Sequence, residues 1–157
     1  MTEPIQTPVV DTRKKNALTK YEIANFAGEE TAPEDGYLRL AKWIPTINNE
    51  SEDIVNEEGF YDGDGTPEEN VDGTKEKYSI EGMFDSKDPA MALVASKKDE
   101  TGDGRKVWLK VTDPDGATEV GLATISNIKF RGGLATDFAP FTCMISRNEK
   151  PVKTPAV

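Results

Sequence analysis

Histidine is absent from this 157-residue chain, and cysteine occurs once. The first absence removes Ser-His-Asp and Cys-His catalysis, histidine metal centres and the side chain that ordinarily moves protons near neutral pH. The second excludes an internal disulfide and leaves Cys143 as a small hydrophobe expected inside a strand. Hydrophobic residues make up only 36% of the chain and charged ones 31%, a balance at which part of it is not expected to pack. No run approaches the ~20 apolar residues that cross a bilayer, and the opening MTEPIQTPVV has no signal-peptide core. A soluble protein used without signal-peptide export is expected. Positive charge is short as well: 19 basic residues face 29 acidic ones, for a net −10, which argues against holding nucleic acid by phosphate neutralisation. There is no Walker loop, dinucleotide fingerprint or internal repeat. No cofactor is expected.

What is present is alternation between turn signals. RKVWLKVT, the turn Asp113-Pro114-Asp115-Gly116, ATEVGLATISNIKF, the turn around Gly132-Gly133, and DFAPFTCMISRN read as three antiparallel strands. The second, Ala117 to Phe130, would span about 45 Å at roughly 3.3 Å per residue. A domain of this size has a radius of gyration of only about 15 Å. That hairpin is therefore expected to cross the whole fold or project from it, with edges that want partners. Strands are also expected over Lys20–Asn25, Tyr37–Ile44 and Lys75–Phe84. One helix is expected, capped by Asp88, opened by Pro89 and closed by Lys97 and Lys98, with Met91, Val94 and Ala95 toward the sheet. Trp43 and Trp108 sit at strand positions as core or interface anchors. Residues 1–16, with the basic cluster Arg13-Lys14-Lys15, form an N-terminal arm; 17–150 form one β domain; 151–157, with Pro151 and Pro155, form a C-terminal arm.

Between Pro45 and Thr74 lie ten acidic residues and no basic one. Without them the chain has 19 of each sign, so the whole imbalance sits in this segment. It shows no core pattern, and is expected to be a long functional or disordered loop. Asp62 and Asp64 alternate as the first ligands of a calcium loop do. The glycine comes too early, however, Pro67 intrudes and no helix flanks the pair, so turn chemistry is the preferred reading and no metal is assigned. Glu57 and Glu58 lack the pocket that would make them an acid/base pair.

The order of Tyr78 to Phe84, Asp88-Pro89, the 113–116 turn, Ile125-Ser126-Asn127-Ile128 and Phe141 to Glu149 resembles the major tail tube proteins of long-tailed, non-contractile bacteriophages. The likeness covers roughly Tyr37 to Pro151. It implies a mainly β fold, a β-sandwich or split barrel with one short flanking helix and a long projecting hairpin. It also implies a non-enzymatic virion protein whose six-copy rings stack into a tube for DNA ejection. Copies of the chain itself would be the main partner, with tape measure, tail terminator and distal tail proteins at the tube's ends. DNA would pass without specific binding, no membrane would be involved, and assembly would take place in the host cytoplasm. The side chains expected at the inter-subunit sheet are Trp108, Ile125, Ile128 and Phe130. Ring stacking is expected to pair Arg13, Lys14 and Lys15, or Lys150 and Lys153, with Glu57, Glu58, Asp62 and Asp64 of a neighbour. The alternative is a monomeric immunoglobulin-like or carbohydrate-binding β-sandwich module, which would need an exposed aromatic cluster on one face.

Overall fold

The structure, a computed structural model, describes residues 10–156. Its strands are β1 (Lys20–Asn25), β2 (Leu38–Arg39), β3 (Thr46–Asn49), β4 (Glu52–Glu58), β5 (Glu68–Lys75), β6 (Lys77–Met83), β7 (Lys106–Thr112), β8 (Thr118–Lys129), β9 (Pro140–Arg147) and β10 (Val152–Thr154), with helix α1 (Pro89–Ser96) between β6 and β7. One antiparallel sheet runs β2-β1-β7-β8-β9-β6-β3, and β10 continues the β9 side of β8. The sheet curls into an open half-barrel, far enough that Tyr21 of β1 meets Tyr78 of β6 edge to face at 5.2 Å. The mainly β fold with one short flanking helix is the one the sequence leads to.

Period-two patterning explains the core. Val107, Leu109 and Val111, Ala123 and Ile125, and Phe141, Cys143 and Ile145 are all buried and, apart from the buried Trp108, alternate with half-buried neighbours. On β8 the phase then shifts, because Ser126 pairs Met144 while Lys129 pairs Thr142, one residue more on β8 than on β9. Asn127 takes up the extra residue at φ 52°, a left-handed conformation that asparagine tolerates. The bulge returns Ile128 to the core face.

Helix α1 fills the concave side. Asp88 accepts a hydrogen bond from the Met91 amide at 3.3 Å, and Pro89 occupies the first turn. Ala90, Met91 and Val94 are buried beneath it; Ala95 is only half-buried. Lys97 does more than complement the helix dipole. Its ammonium is turned inward, donating to Asn25 Oδ1 at 2.7 Å and to the Gly104 carbonyl at 3.0 Å.

Three expectations need correction. The stretch Tyr37 to Ile44 is not one strand: only Leu38–Arg39 pair, because the chain must leave one edge of the sheet (β2) and reach the other (β3). It turns at Lys42 and Trp43, and Trp43 stands at φ 63° with its side chain half exposed. The acidic segment is not a structureless loop. It contributes edge strand β3 and the separate two-stranded sheet β4–β5, whose lack of a core pattern reflects exposure on both faces. That acidic hairpin, rather than β7–β8, is the projecting one, since β7 and β8 belong to the main sheet and β4–β5 stands outside it. Finally, the C-terminal segment begins with β10, paired Val152 to Val120 and Thr154 to Thr118.

Candidate assembly surfaces

The strands define two ends. β6 starts and β9 finishes beside the base of the β4–β5 hairpin, where Ser51 Oγ accepts from the Lys77 amide at 3.0 Å. Residues Asn16 and Ala17 line a cleft with Asn48 and Asn49 at this same end. A groove of about 870 Å³ opens there between Ile54 and Thr74 of the hairpin and Lys150, Pro151 and Lys153. At the far end, β6 finishes and β9 begins. There the Met83 amide donates to the Trp43 carbonyl at 2.9 Å and the Phe84 amide to the Ala139 carbonyl at 2.9 Å, which joins Trp43, Met83 and the 131–139 loop into one surface.

The hairpin is electrostatically unusual. Glu57 stands opposite Glu69 and Glu58 opposite Glu68, like-charge cross-strand pairs that destabilise a sheet unless countered. Among the described residues none of these four carboxylates has a cation within salt-bridge distance. Asp62 is exposed at the tip. The Asp64 carboxylate is bonded to Thr66, by side chain and backbone, which holds its pKa below the usual range. Among the described residues no three His, Cys, Asp or Glu side chains converge to hold a metal. The hairpin also exposes Ile54, Val55, Phe60, Tyr61 and Val71.

The other expected positions divide. Arg13 is engaged within the arm by Asp11, at 2.9 Å through Nη2, while Lys14 and Lys15 are exposed. Ile125 and Ile128 lie in the chain's own core, so their side chains are not surface for a second copy. Trp108 is likewise buried, under the segment after β1: Phe26 meets it edge to face at 5.9 Å, and its Nε1 donates to Glu29 at 2.8 Å. The side chains of Ile125 and Ile128 are covered by the chain's own core and that of Trp108 by its own loop, and the strand path of the main sheet ends in β2 and β3. Phe130 packs on Phe84 at 5.0 Å, with the Arg131 guanidinium 4.8 Å from its ring centre.

Two features escaped the sequence reading. Arg147 is buried, and it pairs with Glu76 while donating to the carbonyls of Leu109 and Glu119, each at 3.1 Å. Its signal was present: the inward alternation 141, 143, 145 continues to 147. The far-end cluster of Trp43, Met83, Leu134 and Phe138, all exposed, had no periodicity to reveal it. On the convex face, Ser79, Thr124, Ser126, Thr142 and Met144 are half-buried, with Lys106 opposite Thr124 and Glu81 and Lys129 on either side of Thr142.

No family model matches the chain, and no curated protein is a significant relative. Its fold does match solved structures. A chain from the tail of an empty GTA particle, refined helically with C6 symmetry, superposes with TM-score 0.69 at 14% identity over 91% of this chain and 100% of that one. A chain from the virion of a native gene transfer agent particle gives 0.66 at 13% identity, again over 91% and 100%. A chain of the extended sheath-tube complex of an extracellular contractile injection system gives 0.53 at 11% identity, over 94% and 95%. The three share the half-barrel fold almost from end to end. No helix among the described residues is long and apolar enough to cross a membrane.

Proposed function

We propose that this chain is the tube-forming protein of a phage-type tail, assembling as six-copy rings that stack into a conduit for DNA. The observation that carries the reading is the end-to-end fold match to a chain of a C6-symmetric tail. The molecule's own surfaces support it. The main sheet ends in two short edge strands, β2 and β3, and closing such edges with a neighbour in a ring removes the aggregation hazard of a free edge. The acidic hairpin stands off the body with nearly every residue exposed, as a stacking element would before its partner is present. The role is structural, without catalysis.

The convex face is the one we assign to the lumen, where the hydroxyls of Ser79, Thr124, Ser126 and Thr142 separate the mixed charges of Glu81, Lys106 and Lys129, while the net charge of −10 disfavours DNA elsewhere on the surface. Lys14 and Lys15, with Lys150 and Lys153, lie at the hairpin end, so they meet the hairpin of a ring neighbour sideways, within a ring. Tape measure, terminator and distal tail proteins are the further partners this reading brings.

The test is electron microscopy of the purified chain at rising concentration, with its mass followed by light scattering. Rings or hollow tubes are expected. A strict monomer throughout, without either, overturns the reading.

A further inference from the structure

The sheet divides at the hairpin end. β9 and β10 follow one another along the same flank of β8, with Arg147 level with Ala123 and Val152 level with Val120. β6 pairs β9 along its whole length, and the pairing runs on to Glu76, whose carbonyl accepts from the Arg147 amide at 2.9 Å. The step from Ala123 to Val120, taken along the other line from Glu76, ends at Gly73 of β5. Strands that ran on straight would therefore set Gly73 beside Val152, and Asp72 beside Lys153. That pairing is not made. Among the described residues β5 pairs with β4 alone and β10 with β8 alone, and the groove of about 870 Å³ lies between them. The cause is local: the β4–β5 register shifts at Ile54–Val55 and leaves Asp72 as an extra residue, a bulge that bends its strand.

We propose that the hairpin is a hinged flap, which in the unassembled copy closes this groove by pairing β5 with β10, Asp72 against Lys153. Two unpaired strand edges face one groove, and such edges take partners. Their charges are complementary. β5 brings Glu68, Glu69 and Asp72, and the β10 side brings Lys150, none of them in a salt bridge among the described residues. Lys153 is held only by Glu119, at 3.8 Å, with its side chain 69% exposed. The hinge is defined as well. Only Glu50 and Ser51 join β3 to β4, and only Glu76 joins β5 to β6. Each joint is tied to the body: the Glu50 amide donates to the Lys77 carbonyl at 2.9 Å, Ser51 Oγ accepts from the Lys77 amide at 3.0 Å, and Glu76 pairs with buried Arg147. A flap on fixed pivots can turn without disturbing the core. The consequence for assembly rests on the tube reading: Lys150 and Lys153 are cations assigned above to a ring neighbour's hairpin, and a closed copy satisfies them with its own. A free copy is thereby held from joining until a neighbour displaces the flap.

The experiment places Gly73→Cys/Val152→Cys in the full chain, kept dilute enough to stay unassembled, and follows disulfide formation under mild oxidation by non-reducing electrophoresis and peptide mass. Both positions lie on open strand edges and Cys143 is buried, so circular dichroism should match that of the native chain. A disulfide needs Cα atoms within about 7 Å, which the closed flap supplies. The crosslink should form about tenfold faster than in Asn70→Cys/Val152→Cys, whose positions are out of level, because pairing raises the effective concentration of one thiol at the other. Lys153→Glu should slow it, and adding Asp72→Lys should restore it. The oxidised chain should form no tubes until reductant is added. No crosslink, equal rates in the two pairs, or an oxidised chain that still assembles overturns this inference. Trapping is read on the unassembled chain, so a protein that crosslinks as expected but forms neither rings nor tubes when reduced overturns the tube reading and leaves the flap standing.

Discussion

The guanidinium of Arg147 crosses directly over Gly121. From β9 it passes above β8 to donate to the Leu109 carbonyl on β7, and a methyl group on Gly121 would stand 3.2 Å from its Nη1. Glu76 balances the charge and accepts from the Tyr78 hydroxyl at 2.6 Å. Removing one member of a buried pair leaves an uncompensated charge at a cost of about 3–5 kcal/mol, and here two carbonyls also lose a donor. Arg147→Met is therefore expected to lower unfolding free energy by about that much, read from urea unfolding. A loss under about 1 kcal/mol would mean that water replaces the guanidinium, contrary to its burial.

Gly82 is fixed by a second close crossing. Its Cα lies under the turn joining β2 to β3, so that a methyl group there would strike the Trp43 carbonyl oxygen and stand 3.0 Å from Ile44 Cα. Both neighbours are backbone and cannot swing aside. Gly82→Ala should destabilise by about 1–3 kcal/mol, the range of overpacking, and release β3 from the sheet edge. Faster hydrogen exchange at Thr46 and Asn48, the β3 amides that face β6, than in the native chain would report that release; an unchanged rate would show that the turn can lift freely.

These two glycines show what the sequence conveyed and where it stopped. Alternation placed β1, β6, β7, β8 and β9 to within three residues, because each has one face on the core. Gly82 fell on the alternating face of β6, but nothing local shows that another segment passes over it. Trp43 was misplaced for the same reason: Tyr37 to Ile44 has strand composition, yet its path is set by the distance between two sheet edges. The hairpin was hidden because it is exposed on both sides, so no apolar period marks it. Arg147 followed the pattern inside the expected strand, but alternation alone does not show that a charged side chain turns inward. Ile125 and Ile128 lie on a strand as expected, with both side chains in the chain's own core, a placement hidden from the sequence because it does not show which faces a chain covers itself.

Alkaline pH should destabilise the fold through Cys143. Burial pushes its thiol from 9.0 up to about 12, so the folded state keeps the proton that the unfolded chain loses. That contribution is fully present below pH 9 and is lost between pH 9 and about 12, at a slope of about 1.4 kcal/mol per pH unit. Tyr21, Tyr37 and Tyr78, all raised mainly by burial, steepen the fall above pH 10, while Lys97, lowered by burial, opposes it weakly. Thermal midpoints should drop from pH 9 upward, less steeply in Cys143→Ala. At pH 8 a thiol reagent should leave the native chain unlabelled and react after denaturation. Prompt labelling of the folded protein would contradict the burial.

The hairpin tests the separation of folding from assembly. Its strands pair with each other and not with the main sheet, and nearly every residue is exposed. The two like-charge pairs inside it work against its own stability. Replacing residues 52–75 by Asn-Gly, a two-residue turn suited to antiparallel strands, rejoins Ser51 to Glu76 where β3 and β6 already pair. The unfolding free energy should change by less than about 1 kcal/mol, as for surface substitutions that touch no core. Formal charge rises by eight from −10, because nine acidic residues and one lysine leave. If the hairpin serves stacking alone, the shortened chain should form rings that do not elongate. Tubes of normal length would show that the joint lies elsewhere; an unfolded product would show that the hairpin carries stability that its exposure conceals.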